Sequence, residues 1–289
     1  MAVEVLENFQ LTVGVVVQCD AFIYFSSSES RSRHFASEYS IERKTEFVLL
    51  LSDADDTTQI LSEIEKFRAY LDSQCQDVRV VLDISCMPRE IMAEMLAIIH
   101  AVKKIEIELV AVYSLAKFSS PSEEIIINEE IEPVHKRFAG WSSPDTKPTS
   151  LILGLGYEPD RAEGASEFFE PSDQWVFVPK SPVLEFFEVV ASNNKDLLSE
   201  VGKRHVIEYN VLDPSLTFAQ LEMVIGLLVE KTNPILLPFG PKIFFFLCLV
   251  QCLHHPQLGV WHFSNKNNLK ALQDIYPSGE VVGVRCVFS

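Results

Sequence analysis

The feature that most constrains the fold is a segment that reads as a strand, a tight polar turn and a helix, and it occurs twice. In the first copy, an apolar run at residues 78–84 leads through a short turn into an apolar helical stretch that extends to residue 102. The second copy runs from residue 234 to residue 253. Strands that alternate with helices are typical of parallel β-α units with right-handed crossovers. The chain is therefore expected to be an α/β protein with mainly parallel sheets.

Each copy opens its helix with a proline followed by a cation, Arg89 in the first copy and Lys242 in the second. Proline suits the first turn of a helix because the N–H that it lacks would have no intrahelical partner there. The N-terminus of a helix attracts anions, and an adjacent lysine or arginine adds a full positive charge. We therefore expect both cations to contact an anionic ligand. Lys242 is the stronger candidate, because Gly240 leaves its turn open to a phosphate, whereas Met87 stands at the corresponding place in the first copy.

A second correspondence links the two halves of the sequence. Glu29, followed by Ala-Ser-Glu-Tyr at residues 36–39, matches Glu158, followed by Ala-Ser-Glu-Phe at residues 165–168, at a constant offset of 129 residues. The offset between the two cations, from 89 to 242, is 153 residues. The difference of 24 residues is about the length of one β-α unit, and we assign the additional unit to residues 175–200. The sequence therefore predicts two tandem Rossmann-like domains.

The predicted organisation has three parts. The first Rossmann-like domain covers residues 1–118, an irregular connector covers residues 119–148, and the second Rossmann-like domain with a C-terminal extension covers residues 149–289. Serine, proline and acidic residues interrupt the connector, which is compatible with a small hairpin. A strand is also predicted at residues 11–17, and a terminal strand at residues 281–288.

Ligands of parallel α/β sheets bind beyond the carboxyl ends of the strands, where loops meet helix N-termini. The candidate ligand-binding residues predicted to lie there are Glu29, Arg31, Asp83, Ser85, Arg89, Gly156, Glu158, Arg161, Gly240 and Lys242. Each has a structural alternative, since a serine can cap a helix, a glutamate can pair with a neighbouring arginine, and a glycine can simply permit a turn. No residue is assigned a catalytic role.

The cysteine pattern and the motif content argue against several kinds of site. The six cysteines form no CxxC motif and no His/Cys cluster, so we expect mostly reduced, buried cysteines, no disulfide and no metal. The sequence contains no nucleophile elbow, P-loop or GxGxxG fingerprint. No cofactor is therefore expected.

Charge and hydropathy bear on partners and location. The formal net charge of −17 disfavours sequence-independent binding of nucleic acid, although a small anion in a locally basic pocket is compatible with it. No apolar run reaches the roughly 18 residues that a membrane-spanning helix needs. The first residues lack the basic region and cleavage signature of a secretory signal. A cytoplasmic protein that does not bind a membrane is expected.

The turn Asp83-Ile84-Ser85-Cys86-Met87-Pro88-Arg89 resembles the strand-turn-helix motif of the CRISPR-associated Rossmann-fold (CARF) sensors. In that family an Asn or Asp, a Ser or Thr, two glycines, a Thr and a Lys or Arg typically precede an apolar helix. The aspartate, serine and arginine of this turn fit the pattern, whereas Cys86 and Met87 replace the glycines. In the second copy, Gly240 and Lys242 hold to the pattern. Two such domains in one chain resemble the SAVED sensors of bacterial antiphage systems, which bind cyclic oligonucleotides.

This resemblance implies a nucleotide-sensing or regulatory subunit of a bacterial defence-type system. Its ligand would be a small nucleotide-like anion and its partner a protein effector, and oligomerisation is compatible with this role. One alternative is a nucleotide glycosidase or transferase, in which a carboxylate would stabilise a cationic sugar. The lack of a catalytic motif favours a non-enzymatic role over this alternative. The other alternative is an adapter whose Rossmann-like copies have lost their ligand and bind another protein.

Overall fold

The structure is a computed structural model of the chain. It describes residues 3–9, 17–38, 46–52, 55–119, 130–140, 147–264 and 275–289. The strands, numbered in chain order, are β1 (Val3–Phe9), β2 (Ala21–Ser26), β3 (Phe47–Ser52), β4 (Val78–Asp83), β5 (Ile107–Ala116), β6 (Glu130–Pro133), β7 (Thr149–Gly154), β8 (Asp173–Lys180), β9 (Val206–Asn210), β10 (Asn233–Pro238), β11 (Gly259–Ser264) and β12 (Pro277–Phe288).

The helices are numbered in the same way. They are α1 (His34–Glu38), α2 (Thr57–Ser73), α3 (Arg89–Ala101), α4 (Arg161–Phe169), α5 (Leu184–Asn193), α6 (Lys195–Val201), α7 (Pro214–Leu228) and α8 (Lys242–His254). Short 3-10 helices occur at Ser30–Arg33, Lys136–Phe138 and Lys203–His205.

The chain divides into two compact units, and each is built around a six-stranded sheet. Unit 1 combines residues 1–117 with residues 272–289, and unit 2 covers residues 118–271. Both sheets are mainly parallel and carry helices between their strands. The predicted fold class, α/β with two Rossmann-like domains, is confirmed.

Unit 1 has the strand order β1-β12-β5-β4-β2-β3. Strands β3, β2, β4 and β5 run parallel, whereas β12 pairs antiparallel with both β5 and β1. The central strand β4 is buried along almost its whole length, as expected for a parallel strand that is covered on both faces. Helix α2 starts at a capping box, in which Asp56 accepts from the Gln59 N–H and the Gln59 side chain accepts from the Asp56 N–H.

The C-terminal strand lies in the sheet of unit 1, not in the second domain to which the sequence pattern assigned it. Residues of β12 pair with β5 from Pro277↔Ala116 to Phe288↔Ile107. Buried side chains at Val282, Val284 and Cys286 attach the strand to the core of this sheet. The pattern predicted the strand correctly but not its partner, because alternating burial marks a strand without identifying the neighbour that it pairs with.

Unit 2 has the strand order β6-β11-β10-β7-β8-β9. Strands β9, β8, β7, β10 and β11 run parallel, and β6 pairs antiparallel with β11. Helix α8 is apolar around its whole circumference, and every residue from Ile243 to Leu253 is buried. The core on one face of this sheet joins leucines of β7 to side chains of β8, β10, α4, α5 and α6. A helix that is apolar on all sides has to be covered by other elements of the protein, and the burial of these residues shows that α8 is covered.

The connector belongs to unit 2. Strand β6 lies within it and pairs with β11, more than a hundred residues further along the chain, so this strand does not form the small hairpin that the sequence suggested. Most of the predicted strand at residues 11–17, and the apolar part of the connector at residues 125–127, lie outside the described residues.

The two sheets share one strand order, which supports the predicted internal repeat. The order β3-β2-β4-β5 in unit 1 corresponds to the order β8-β7-β10-β11 in unit 2, and an antiparallel strand follows β5 and β11. Strand β9 is the additional strand, since it extends the sheet beyond β8. The additional unit is therefore not at residues 175–200 as predicted, because β8 occupies the place that β3 has in unit 1.

Candidate functional site

The strand order of each unit defines where a ligand would bind. In unit 1 the chain leaves β2 towards β3 and then returns past β2 to β4, so the direction of winding reverses between β2 and β4. Loops separate at such a switch point and leave a crevice at the carboxyl ends of the strands. By the same reasoning, the switch point of unit 2 lies between β7 and β10. The candidate residues of each unit follow these four strands.

In unit 1, the loop after β2 meets the turn after β4 through Glu29 and Cys86. The Cys86 thiol donates to Glu29 Oε2 across 3.4 Å. The Glu29 N–H in turn donates to the Ser27 hydroxyl at 3.2 Å, which holds the backbone of this loop. The side chains of Glu29 and Cys86 therefore stand at the switch point of unit 1.

Arg31 lies beneath these two side chains and is almost completely buried, with only 7% of its side chain exposed. Its Nη2 donates to Glu29 Oε2 at 3.1 Å, and its Nη1 donates to the Ser114 carbonyl oxygen of β5 at 3.3 Å. The guanidinium also lies 5.7 Å from the ring centroid of Tyr113, within the range of a cation–π contact. The Arg31 N–H donates to the Ile275 carbonyl oxygen, which ties this segment to the chain that enters β12.

One edge of the Arg31 guanidinium is only half used. The Nε–H and Nη2–H groups of an arginine lie side by side and can hold two oxygens of one carboxylate or phosphate. In Arg31 the Nη2 group contacts Glu29, whereas the Nε atom is buried and forms no hydrogen bond with the residues that the structure describes. A buried donor without a partner is costly, so this atom marks a place where an additional oxygen would be stabilising.

The surroundings of Arg31 favour its charged form. Burial by itself would lower the pKa of Arg31, but Tyr113, Cys86 and Glu29 more than offset this, and the pKa lies above the ordinary value. The guanidinium is therefore a permanent positive charge beneath the switch point. A buried positive charge of this kind requires an anion as its partner.

Asp83 and Ser85 form a buried turn, in which the Ser85 N–H and hydroxyl donate to Asp83 Oδ1 at 2.9 and 2.5 Å. The Ser85 hydroxyl oxygen accepts from the Ser114 N–H at 2.8 Å, so the turn after β4 is fastened to the end of β5. Ser85 is not the N-cap residue of α3, because Pro88 occupies that position. Asp83 and Ser85 therefore stabilise the turn beside the crevice.

His34, on α1, lies near the same strand end. Its Nδ1 is 3.3 Å from the Ser114 hydroxyl. An imidazole within reach of a serine hydroxyl is one element of nucleophilic catalysis. However, Ser114 is completely buried, so the pair has no access to a substrate in this arrangement.

In unit 2, Glu158 and Arg161 form the corresponding ion pair, with Arg161 Nη1 2.6 Å from Glu158 Oε2. Both follow β7, as Glu29 and Arg31 follow β2. The Arg161 side chain is more exposed than that of Arg31, at 16% against 7%. Pairing with a neighbouring arginine, which was the structural alternative to ligand contact for Glu29 and Glu158, therefore occurs in both units.

The switch point of unit 2 is closed by its own backbone. The N–H groups of Phe239 and Gly240 both donate to the Gly154 carbonyl oxygen, at 2.8 and 3.0 Å. A Cβ atom at Gly240 would lie 2.5 Å from the Leu155 carbonyl oxygen, and one at Gly156 would lie 2.7 Å from the Phe239 carbonyl oxygen. These two glycines let the loops after β7 and β10 touch. The expectation that Gly240 opens its turn to a phosphate is thus not met at this atom, because its N–H is already hydrogen-bonded inside the protein.

Arg89 and Lys242 are the first residues of α3 and α8, and the two helix starts have the same geometry. Pro88 has φ −56° and ψ 147°, and Pro241 has φ −55° and ψ 144°. Both prolines are N-cap residues, one position before the predicted first turn, and both helices have 13 residues. Arg89 and Lys242 are half-buried. The repeat of the proline and cation is confirmed as a repeat of local structure.

Among the described residues, no group of three or more His, Cys, Asp or Glu side chains could hold a metal ion. All six cysteines lie in the described ranges and none of them is in a disulfide; Cys75 is exposed and the other five are buried. The prediction that the cysteines are mostly buried is confirmed. No helix within the described ranges has the length and apolar character that crossing a bilayer requires.

Sequence reasoning identified Glu29 and Arg31 but missed their neighbours Cys86, Tyr113 and Ser114. Cys86 was noted only as a replacement for a glycine. The signal that could have found Ser114 and Tyr113 is their place at the carboxyl end of β5, which adjoins β4 in a sheet of this topology. Comparison with protein-family models and with curated proteins found no match to the chain.

Proposed function

We propose that this protein is a nucleotide-sensing or regulatory protein that binds a phosphate-containing ligand at the carboxyl ends of the strands of unit 1. The observation that carries the proposal is the buried Arg31 guanidinium beneath the switch point, with its Nε–H lacking a partner among the described residues. A phosphate offers oxygens that can take the Nε–H and Nη2–H groups together. A neutral ligand could not replace the Glu29 carboxylate as the counter-charge of this guanidinium.

The Arg161 Nε atom of unit 2 is likewise buried without a hydrogen bond to the described residues, so the way in which the loops meet is what favours unit 1 over unit 2 as the binding unit. In unit 2 the loop after β10 is hydrogen-bonded to the end of β7, because the N–H groups of Phe239 and Gly240 donate to the Gly154 carbonyl oxygen. In unit 1 the corresponding loops meet through the side chains of Glu29 and Cys86. Side chains can rotate away from a ligand, whereas backbone contacts of this kind require the loops to separate. We therefore propose that unit 2 has the same fold but does not bind the ligand, because its crevice is closed.

The nucleotide class of the ligand follows from the resemblance of the turn at residues 83–89 to that of the CARF sensors. A defence-type regulatory role, in which the bound protein acts on an effector protein, extends from the same resemblance. The structural task of Asp83 and Ser85 supports a binding role over an enzymatic one, since the Ser85 hydroxyl is engaged on both sides within the turn.

A thermal-shift screen tests the proposal. The panel contains inorganic phosphate, nucleoside monophosphates, and linear and cyclic oligonucleotides, so that a free phosphate is distinguished from a phosphate carried by a nucleotide. A ligand present at 100 times its dissociation constant stabilises the folded protein by about 2.7 kcal/mol. We expect at least one phosphate-bearing compound to raise the melting temperature.

The assignment to Arg31 is tested with variants. Arg31→Gln should abolish the shift, and Arg31→Lys, which keeps the charge but not the paired donors, should weaken it. Arg68→Gln is the matched control, because Arg68 also pairs with glutamate but lies exposed on α2. Absence of any shift across the panel would contradict the proposal and favour the adapter, and turnover of a panel compound would favour the enzyme. Loss of binding in Lys242→Ala but not in Arg31→Gln would move the site to unit 2.

A further inference from the structure

We propose that the Glu29 carboxylate is an internal competitor for the anion site, which a ligand phosphate displaces from Arg31 when it binds. The inference rests on the proposed function, because it concerns the regulation of the same site. It assigns Glu29 a gating role and predicts that this residue weakens binding rather than strengthening it.

The first argument is the way in which the Glu29 carboxylate contacts its partners. Oxygen Oε2 accepts from both Arg31 Nη2, at 3.1 Å, and Cys86 Sγ, at 3.4 Å. The neighbouring Nε–H of the same guanidinium edge has no partner among the described residues. The carboxylate is thus attached by one oxygen at a place that could take two. A ligand group that used both donors would hold Arg31 more strongly than Glu29 does.

The second argument is the difference in solvent exposure between the two side chains. The Glu29 side chain is 24% exposed, whereas the Arg31 side chain is 7% exposed. Glu29 is therefore the outer member of the pair, and a ligand that enters from solvent reaches it first. The second contact of Glu29 is to a thiol, which is a weak hydrogen-bond donor. The outer member can therefore leave at low cost when an incoming anion takes its place beside Arg31.

The third argument is charge. A phosphate bound to Arg31 would stand beside the Glu29 carboxylate if that side chain stayed in place, and two anions at such a distance repel. The Glu29 carboxylate and a phosphate therefore cannot occupy the same edge of the Arg31 guanidinium at the same time. With Glu29 in place, the site is closed; with phosphate in place, Glu29 turns outward and Cys86 loses its contact with the carboxylate.

Replacing Glu29 tests the gate directly. Glu29→Gln keeps the size of the side chain but removes its charge, so a neutral amide replaces the competing carboxylate. We expect the dissociation constant for inorganic phosphate, measured by isothermal titration calorimetry, to fall by roughly five- to tenfold. The matched control is Glu65→Gln, which removes the same charge from an exposed glutamate that pairs with Arg68 on α2. The control should bind phosphate as the parent protein does.

A second measurement avoids any change at Glu29. In a Cys75→Ser background, which removes the exposed thiol, the rate at which a thiol reagent labels Cys86 is measured by peptide mass spectrometry with and without inorganic phosphate. Displacement of Glu29 predicts faster labelling when phosphate is present. An unchanged or slower rate at saturating phosphate would contradict the gate.

The outcomes separate this inference from the proposed function. Phosphate binding that requires Arg31 but is unchanged or weaker in Glu29→Gln overturns the gate and leaves the binding site in place. Binding that is found in Glu29→Gln and not in the parent protein supports both. If neither protein binds phosphate, and phosphate leaves Cys86 labelling unchanged, the gate is overturned together with the phosphate site on which it depends.

Discussion

Ser85, in the turn after β4, is joined to Ser114 of the neighbouring strand β5 by a hydrogen bond that the Ser114 N–H donates to the Ser85 hydroxyl oxygen at 2.8 Å. Both residues are completely buried, and the same hydroxyl donates to Asp83 Oδ1. The bond lies directly beside the crevice that holds Glu29 and Arg31. The Ser85 side chain therefore adds to the backbone hydrogen bonds that join β4 to β5, such as the bond from the Ile84 N–H to the Val112 carbonyl oxygen.

Removing this hydroxyl should destabilise the fold. Ser85→Ala leaves the buried Ser114 N–H without its acceptor, and an unsatisfied buried donor costs about 1–3 kcal/mol. The measurement is urea-induced unfolding followed by circular dichroism. Ser73→Ala is the control, since its hydroxyl bonds to a carbonyl on the exposed end of α2 and its loss should change stability by less than about 0.5 kcal/mol. Equal stabilities of the two variants would contradict the structural task assigned to Ser85.

The close approach of the loops in unit 2 makes Gly240 sensitive to substitution. In Gly240→Ala the added Cβ would lie 2.5 Å from the Leu155 carbonyl oxygen, so the two loops must separate, at an expected loss of about 1–3 kcal/mol. Gly226 is the matched control, because it lies in α7 and a Cβ added there meets no atom within 4 Å. Gly226→Ala should stabilise the protein by about 0.5–1 kcal/mol. Melting temperatures that move in the same direction for both variants would show that the loop contact is not tight.

Tyr70 gives the folded protein a specific response to alkaline pH. Its ring stacks on Phe47 at 4.7 Å, and its hydroxyl is buried without a hydrogen bond to the described residues. Burial, together with the charges of Asp20 and Glu46, raises the pKa of Tyr70 to about 12. The unfolded chain releases this proton near pH 10, so the contribution of Tyr70 to stability is complete below about pH 10 and is lost as the pH rises towards 12.

The variant Tyr70→Phe tests this response. At pH 7 it should have the stability of the parent protein or slightly more, because the hydroxyl that it removes has no hydrogen bond among the described residues. Between pH 10 and pH 12 the variant should lose less stability than the parent protein. Denaturant unfolding across pH 7–12 measures the difference, which should be constant below about pH 9. Parallel curves over the whole range would exclude a raised pKa at Tyr70.

The thiols should differ widely in reactivity. Burial raises the pKa of Cys286 to about 12 and also raises that of Cys252, so neither forms an appreciable amount of thiolate at pH 8. Cys75 is exposed and should be labelled first by a thiol reagent at this pH. Peptide mass spectrometry after timed labelling distinguishes the sites. Labelling of Cys252 or Cys286 at the rate of Cys75, in protein that remains folded, would contradict the burial of these cysteines.

Local features of the sequence were sufficient to identify the repeated unit. The apolar run that forms β4, the turn after it, and the helix that starts beside Pro88 all depend on residues close together in the chain. The nearly equal backbone angles of Pro88 and Pro241 show that both helices begin in the same local conformation. The burial of every residue from Ile243 to Leu253 likewise follows from an apolar segment that has no polar face.

Tertiary structure decided the partners and the environment of the candidate residues. The sequence predicted a terminal strand, but only the assembled sheet places β12 beside β5, because strand pairing joins residues far apart in sequence. Gly240 was expected to admit a ligand, and the loop packed against it instead uses its N–H. Arg31 was one of several charged residues in a polar segment. It is buried against Tyr113, Cys86 and Glu29, and these four residues come from three separate segments of the chain. The energy of a charged side chain depends on the groups that surround it in space, which the sequence around it does not show.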